Sequence, residues 1–406
     1  MTSRSATPDT YDAAIVGAGP AGLCAAILLA RTCTRVALIG PVDANARDTR
    51  TSALFAASLT ILERCGVWQN LEPAAAALEK IRIVDRVART DYPSIVVFDA
   101  LEIGDQPFGY NIANTDLTRA LESRFKGIET ATRIASPVTS IEHQEEHARI
   151  VCQDGTALDA RLVVAADGQN SLARTAAGIS ATRWDYGQTA IATRIKHERD
   201  HGFVSTEVHR PGGPLATVPL PGRASAIVWL ERPEAARELE ALDDTSFANR
   251  LEIEIGRYLG LVDLAGARGS FPVRGLTTTT LARSRTVLIG EAGHVLPPIG
   301  AQGLNLGIRD TAWLADIIAG ALERGADPGG ENVLARYRRA READTMTRSA
   351  ASDALNRSLL FDGTAIRSLR DLGLAGLAGL GPLRRSLMRH GVAGDHTLPA
   401  AMRPHA

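Results

Sequence analysis

Tyr11-Asp12-Ala13-Ala14-Ile15-Val16-Gly17-Ala18-Gly19-Pro20-Ala21-Gly22 is the stretch that decides the fold. An apolar run that ends in glycine predicts a short buried strand over 11–17. Residues 21–31 are rich in Ala and Leu and predict a helix. Arg35 to Ile39 predicts a second apolar strand, so the chain opens with a right-handed, parallel β-α-β unit. Gly17-x-Gly19-x-x-Gly22 falls at the strand-to-helix turn. Bare backbone N–H groups and the positive helix end then face outward together, a geometry suited to a pyrophosphate. The plainer alternative is a tight turn with no ligand. No charged residue occurs from Ala13 to Ala30, yet Pro20 and the clustered glycines interrupt any spanning helix. Asp9 and Asp12 stand where a targeting peptide would carry positive charge.

Working outward, 406 residues suggest two or three domains' worth of mass. Hydrophobic residues at 45% and charged residues at 22% mark an ordinary globular chain without long disorder. Lys+Arg 45 against Asp+Glu 46 leaves a net charge of −1 and no basic field for nucleic acid. Cys24, Cys33, Cys65 and Cys152 show no CxxC spacing, which excludes a zinc ribbon and a disulfide framework. The compartment read from this is reducing and cytoplasmic.

Helices are predicted over 53–65 and 115–125, the second with Asn114 and Thr115 as candidate N-caps and Leu117, Leu121 and Phe125 on one face. From about 180 to 275 the texture changes to strands at 189–195, 215–220 and 225–230. Pro211-Gly212-Gly213-Pro214 and Pro221-Gly222 punctuate them. A buried strand returns at 286–291 and a helix at 303–324. Residues 331–390 are helical in texture, with 11 Arg and six acids.

Two further motifs carry chemistry. Val163-Val164-Ala165-Ala166-Asp167-Gly168 delivers a carboxylate at a strand's C-terminal end, where α/β folds place ligands; a plain Asx turn explains it equally. The last is Val287-Leu288-Ile289-Gly290-Glu291-Ala292-Gly293-His294, followed by Pro297-Pro298-Ile299-Gly300-Ala301-Gln302-Gly303-Leu304-Asn305. Here a buried strand presents Glu291, and a Gly/Pro-rich loop opens a helix whose N–H groups could meet a flavin's pyrimidine edge. His294 reads as a structural histidine rather than a proton donor. The acidic residue expected about 20 residues past the first glycine, a ribose ligand, is absent: Gly40 stands there, and Asp43 is the nearest carboxylate.

These three motifs, in this order, resemble the flavoprotein aromatic hydroxylases of the para-hydroxybenzoate hydroxylase type. Within them the chain is most similar to the ubiquinone-biosynthesis (2-polyprenylphenol) hydroxylases. Arg50-Thr51-Ser52-Ala53-Leu54, Asn114-x-x-Leu117, Pro219-Leu220 and Phe271-Pro272-Val273 also fit, so the likeness spans roughly 11–390. The resemblance implies an α/β fold: a Rossmann-like FAD-binding domain with an inserted β-sheet substrate domain and a helical C-terminus. The domains expected are 1–178 (first part of the FAD-binding domain, with substrate-domain strands near 80–110), 179–275 (substrate sheet), 276–330 (last part of the FAD-binding domain) and 331–406 (C-terminal helices).

The resemblance also implies Gly17, Gly19, Pro20, Ala21 and Gly22 at the FAD pyrophosphate and Arg50 near its phosphate-adenosine region. Asp167 would lie close to the cofactor, Glu291 at the ribityl chain, and Pro298, Gly303, Leu304 and Asn305 toward the isoalloxazine. The usual residue at 291 is Asp, one methylene shorter. The implied reaction is hydroxylation of a phenolic, lipophilic ring with O2, and NAD(P)H as a transient reductant; no second GxGxxG exists to hold it. No acid or base is singled out. Alternatives are a related hydroxylase of another phenol and a non-catalytic FAD-binding assembly subunit. A flavin halogenase is disfavoured because Trp184-Asp185-Tyr186 does not match a WxWxIP element. A biosynthetic complex or a peripheral contact with the inner membrane stays open for delivery of the substrate. For the membrane, the candidate is the uncharged run 372–383 flanked by Arg367, Arg370, Arg384, Arg385 and Arg389.

Overall fold

A computed structural model describes residues 10–41, 48–86, 94–360, 376, 379–389 and 398–403. Its first sheet is built on five parallel strands in the order Thr286–Leu288, Ala157–Ala165, Thr10–Val16, Val36–Ile39, Ala131–Ile134. Strand residues buried on both faces form near-continuous apolar runs, as parallel sheets require. The register sets Leu288, Ala165, Val16, Ile39 and Ile134 in one row. The residues that follow them, among them Gly17, Ala166 and Gly40, therefore leave the sheet along the same edge. The chain order reverses at Thr10–Val16, the point where open α/β sheets bind ligands.

Helix Pro20–Leu29 follows the first strand, and every residue from Gly22 to Leu29 is buried. Such all-round burial is possible because helices Asn114–Lys126 and Gln302–Leu322 pack on it from two sides. Leu117, Leu121 and Phe125 are the buried face of the former, as their spacing predicts. The N-cap there is Ala113 and not Asn114 or Thr115; Asn114 instead accepts from the Ser52 hydroxyl at 2.7 Å. The helix expected from 53 begins at Ala56, because Thr51–Phe55 pairs as a strand with Gly109–Ala113.

A second, nine-stranded sheet runs His294–Val295, Gly269–Thr278, Ala181–His197, Ala224–Glu231, Leu215–Leu220, Val204–His209, Lys80–Asp85, Ser94–Asp99, with Val262–Leu264 on Ala181–His197. Two of its strands thus come from before residue 100 and one from the loop after Glu291. The strand predicted through 291 ends at Leu288, and Gly290–Ala292 turns as a 3-10 helix. Helix Glu331–Leu360 packs back on the first sheet, where the buried Tyr337 hydroxyl donates to the Leu288 carbonyl at 2.8 Å. Most of the run 372–383, with Arg367, Arg370 and Asp43, lies outside the described residues. No helix among the described residues is long and apolar enough to cross a membrane.

Candidate functional site

Glycine geometry shapes the edge where the strands end. Gly17 has φ +112°, and a Cβ there would lie 2.2 Å from the Ala166 carbonyl oxygen. One on Gly22 would lie 2.0 Å from the Gly17 oxygen. Neither position admits a side chain. Gly19 faces open space, with nothing within 4 Å of its would-be Cβ. It is the N-cap of helix Pro20–Leu29, yet no side chain caps that helix and its first turn holds no acid. No side chain satisfies its leading N–H groups, and a helix end of this kind favours an anion.

The second helix repeats this. Gln302–Leu322 starts after Gly300 at φ +63° and Ala301 at φ +54°, also without a side-chain cap or an acid in its first turn. A non-glycine residue held left-handed at a helix entrance is a stored strain, and the turn into αR aims successive N–H groups to one side. Gly307 brings the two helices together. Its would-be Cβ would lie 3.1 Å from Gly290 Cα and 3.6 Å from Ala21 Cβ. The Thr311 hydroxyl adds a bond to the Ala21 carbonyl at 3.3 Å. The first turn of helix Pro20–Leu29 thus packs against the second turn of helix Gln302–Leu322, with Gly290 of the turn carrying Glu291 in the same contact. Glu291 is exposed and has no hydrogen-bond or ion-pair partner among the described residues.

A buried charge network holds that turn. The Asp310 carboxylate accepts from Gly290 N at 3.0 Å, His294 Nε2 at 2.7 Å and Arg341 Nε at 2.7 Å, with no solvent exposure at Asp310 or Arg341. Burial pushes the Asp310 pKa up, but Arg341 and His294 outweigh it and hold the carboxyl below the usual carboxylate range. Arg341 also donates to Asp344 at 2.6 Å. His294 is thus buried and paired with Asp310, an arrangement that fits a structural role. Arg174, also buried, joins the two later motifs by donating to the Ala292 carbonyl at 2.8 Å and the Gln169 carbonyl at 2.9 Å.

The polar side chains of the other predicted residues have partners within the protein. Asp167 follows its strand end, and its carboxylate accepts from the Ser171 hydroxyl and from Ala173 N at 3.1 Å, bracing the Ser171 N-cap of the following short helix. Asn305 is buried with its amide fully engaged: Oδ1 accepts from Phe55 N and the Ser58 hydroxyl, and Nδ2 donates to the Ala53 and Ala301 carbonyls. Only its backbone and that of Gly303 and Leu304 remain for a ligand. Arg50 pairs with Asp48 at 2.8 Å and lies over the Phe271 ring at 5.0 Å. Pro298 is exposed on the loop. Gly40 has φ +151°, and the Arg133 guanidinium donates to its carbonyl at 2.7 Å, to Pro41 and to Glu122. Arg133 thus holds the backbone where the acidic residue was expected.

Comparison with known proteins bears on this geometry. The family model described as FAD binding domain matches residues 10–376. The chain is 34% identical to ubiquinone hydroxylase UbiL of Rhodospirillum rubrum, over 93% of this chain and 89% of that protein. It is 29% identical to 3-demethoxyubiquinol 3-hydroxylase of Escherichia coli, over 95% and 99%. Among solved structures, p-nitrophenol 4-monooxygenase PnpA from Pseudomonas putida superposes with a TM-score of 0.78 at 18% identity, covering 96% of this chain and 100% of that one. HpxO of Klebsiella pneumoniae, solved with FAD and uric acid, gives 0.74 at 18% identity, over 95% and 97%.

Proposed function

This chain belongs to the FAD binding domain family and is an FAD-dependent monooxygenase, and from that premise we propose that it hydroxylates the phenolic ring of a polyprenylated ubiquinone precursor. O2 is the co-substrate and NAD(P)H the transient reductant. The observation that carries the reading is a pair of helices without side-chain caps, packed on each other at Ala21, Gly290 and Gly307, beside a Glu291 with no partner among the described residues.

In this reading Gly17, Gly19, Pro20, Ala21 and Gly22 hold the FAD pyrophosphate, and the first helix dipole favours its charge. Arg50 flanks the phosphate-adenosine end and Asp167 orders the loop beside the cofactor. Glu291 accepts from the ribityl hydroxyls. Pro298 and the N–H groups of Gly303, Leu304 and Asn305 border the isoalloxazine and stabilise negative charge there. FAD supplies the oxygen activation when bound; the chain's own task is to orient the ring and keep water from it. The nine-stranded sheet is the substrate side, so 179–275 and the strands near 80–110 serve the ring while 1–178 and 276–330 serve the cofactor. The enzyme works in the cytoplasm, in peripheral contact with the inner membrane or with a biosynthetic complex.

Quinone profiling of a deletion strain tests this. An accumulated intermediate lacking one ring hydroxyl is expected, and an unchanged quinone profile refutes the assignment. With purified protein, a phenol should accelerate flavin reduction by NAD(P)H.

A further inference from the structure

A cleft opens where helices Ala56–Arg64, Gln302–Leu322 and Glu331–Leu360 meet. Phe55, Ser58, Gln302, Leu306, Arg309 and Arg348 line it, beside Asn305. Its floor of ≈ 20 Å³ has room for a group about the size of a water or a phosphoryl oxygen, and none for an aromatic ring. The substrate ring therefore belongs elsewhere. No acid is among the residues that line the cleft.

Its two cations have little counter-charge. Three guanidiniums share the Asp344 carboxylate: Oδ2 accepts from Arg341 at 2.6 Å and from Arg309 only at 3.4 Å, while Oδ1 accepts from Arg348 Nε at 2.8 Å. Arg341 is also held by the buried Asp310. Arg309 is thus the least satisfied of the three, with a side chain only 13% exposed. Burial and then the nearby Arg348 cation push its pKa down to about 10. A partly buried cation set beside another costs the folded chain stability, a cost characteristic of ligand sites. Arg348 also reaches the first turn of helix Gln302–Leu322, donating to Gln302 Oε1 at 3.4 Å.

Position along the helix says what such a site can serve. Arg309 follows Gly303, Leu304 and Asn305 by four to six residues, about 6–9 Å at 1.5 Å per residue. That lies within the span separating a nicotinamide ring from the pyrophosphate of its own dinucleotide. We propose that Arg309 and Arg348 bind a phosphate group of the nicotinamide dinucleotide that reduces the flavin. The proposal rests on the hydroxylase reading for its ligand. With a single GxGxxG in the chain, the reductant must be held by side chains rather than by a second dinucleotide fold. Guanidinium forks match phosphate oxygens, and both stand at the cleft with one shared carboxylate between them.

Calorimetric titration of the FAD-loaded protein with ADP-ribose, and separately with inorganic pyrophosphate, reads the site without turnover. Anaerobic stopped-flow reduction by NADH and NADPH reads its use. Arg309→Met and Arg348→Gln should each weaken ADP-ribose binding at least about tenfold with FAD content retained. In reduction, the loss should fall on the half-saturating NAD(P)H concentration rather than on the limiting rate. Arg348→Lys keeps the charge but not the fork and should recover part of the loss. Should Arg309→Met fail to fold, Arg348→Gln decides alone. ADP-ribose binding that is absent from the parent, or unchanged in the variants, overturns the proposal. Binding of pyrophosphate without ADP-ribose overturns it too, since that marks a site for free anions. ADP-ribose binding that the variants weaken supports the site even where no nicotinamide dinucleotide reduces the flavin, the outcome in which the hydroxylase reading fails by itself.

Discussion

Asp310→Ala strikes the one buried carboxylate on which the Glu291 turn depends. The substitution removes the acceptor of three bonds, to Gly290 N, His294 Nε2 and Arg341 Nε. It strands the Arg341 guanidinium at zero exposure with Asp344 as its remaining carboxylate. Breaking a buried pair from one side costs about 3–5 kcal/mol, because the surviving charge has lost its water as well as its partner. Releasing Gly290 also frees the turn, so FAD should dissociate about tenfold more readily, a loss of about 1.4 kcal/mol. Urea unfolding followed by tryptophan fluorescence reads the first quantity, and flavin titration the second. The decisive control is Asp310→Leu combined with Arg341→Met. With both charges gone no stranded ion remains, and the double variant should be more stable than the sum of its single losses by at least about 1 kcal/mol. Strict additivity within about 0.5 kcal/mol, or a single loss below about 1 kcal/mol, would show that the pair does not hold the turn.

Gly307→Ala should cost about 1–3 kcal/mol by overpacking and lower FAD occupancy, since its methyl would sit 3.1 Å from Gly290 Cα; calorimetry and flavin content check both. Glu291→Ala should weaken FAD binding by about 1.5–3 kcal/mol with little loss of stability, because the carboxylate has no protein partner to abandon. Equal FAD dissociation constants for parent and variant would remove Glu291 from the site. Partial burial and repulsion by Arg348 lower the Arg309 pKa to about 10; Arg309→Met should therefore raise the unfolding midpoint, and a fall of more than about 1 kcal/mol in stability counts against that. Burial raises the Asp344 pKa, but Arg341 and its neighbours bring it down to about 2. A carboxyl depressed below its unfolded value of about 3.9 contributes stability above that pH and loses it as pH falls toward 2. Acid titration of Asp344→Asn should accordingly lack that part of the parent's loss.

The fold was legible where local rules and burial agree. The opening strand, the helix after Gly19 and the helix after Ala301 lie within a few residues of their predicted positions, because each is an apolar run with Gly or Pro at its border. It was least legible at Thr51–Phe55, where Ala, Ser and Leu favour a helix. Pairing with Gly109–Ala113 supplies hydrogen bonds from residues more than fifty positions away, and no window along the chain contains that information. The same limit applies to the nine-stranded sheet, whose strand Val204–His209 pairs in parallel with Lys80–Asp85 across an intervening stretch of more than a hundred residues.

Within the site, the residues that a motif makes visible divide into two kinds. Glycines act through what they lack, so Gly17 and Gly22 keep the sequence-level meaning once the fold forms around them. Polar side chains act through what they touch, and touch is set by packing. Asp167 and Asn305 both spend their side chains on the protein, one bracing the Ser171 helix cap and the other stitching strand Thr51–Phe55 to helix Gln302–Leu322. Glu291 is the contrast, a carboxylate at the same edge that nothing in the described chain satisfies. Asp310 and Arg341 could not be found by motif at all, since they are 31 positions apart and meet only when helix Glu331–Leu360 folds back. Gly307 offered the one available signal, a glycine inside a long helix where alanine would serve the helix better by about 1 kcal/mol. That cost is accepted because the close approach to Gly290 and Ala21 packs the start of helix Pro20–Leu29 against helix Gln302–Leu322, and the proposed dinucleotide site would depend on that approach more than on any single side chain.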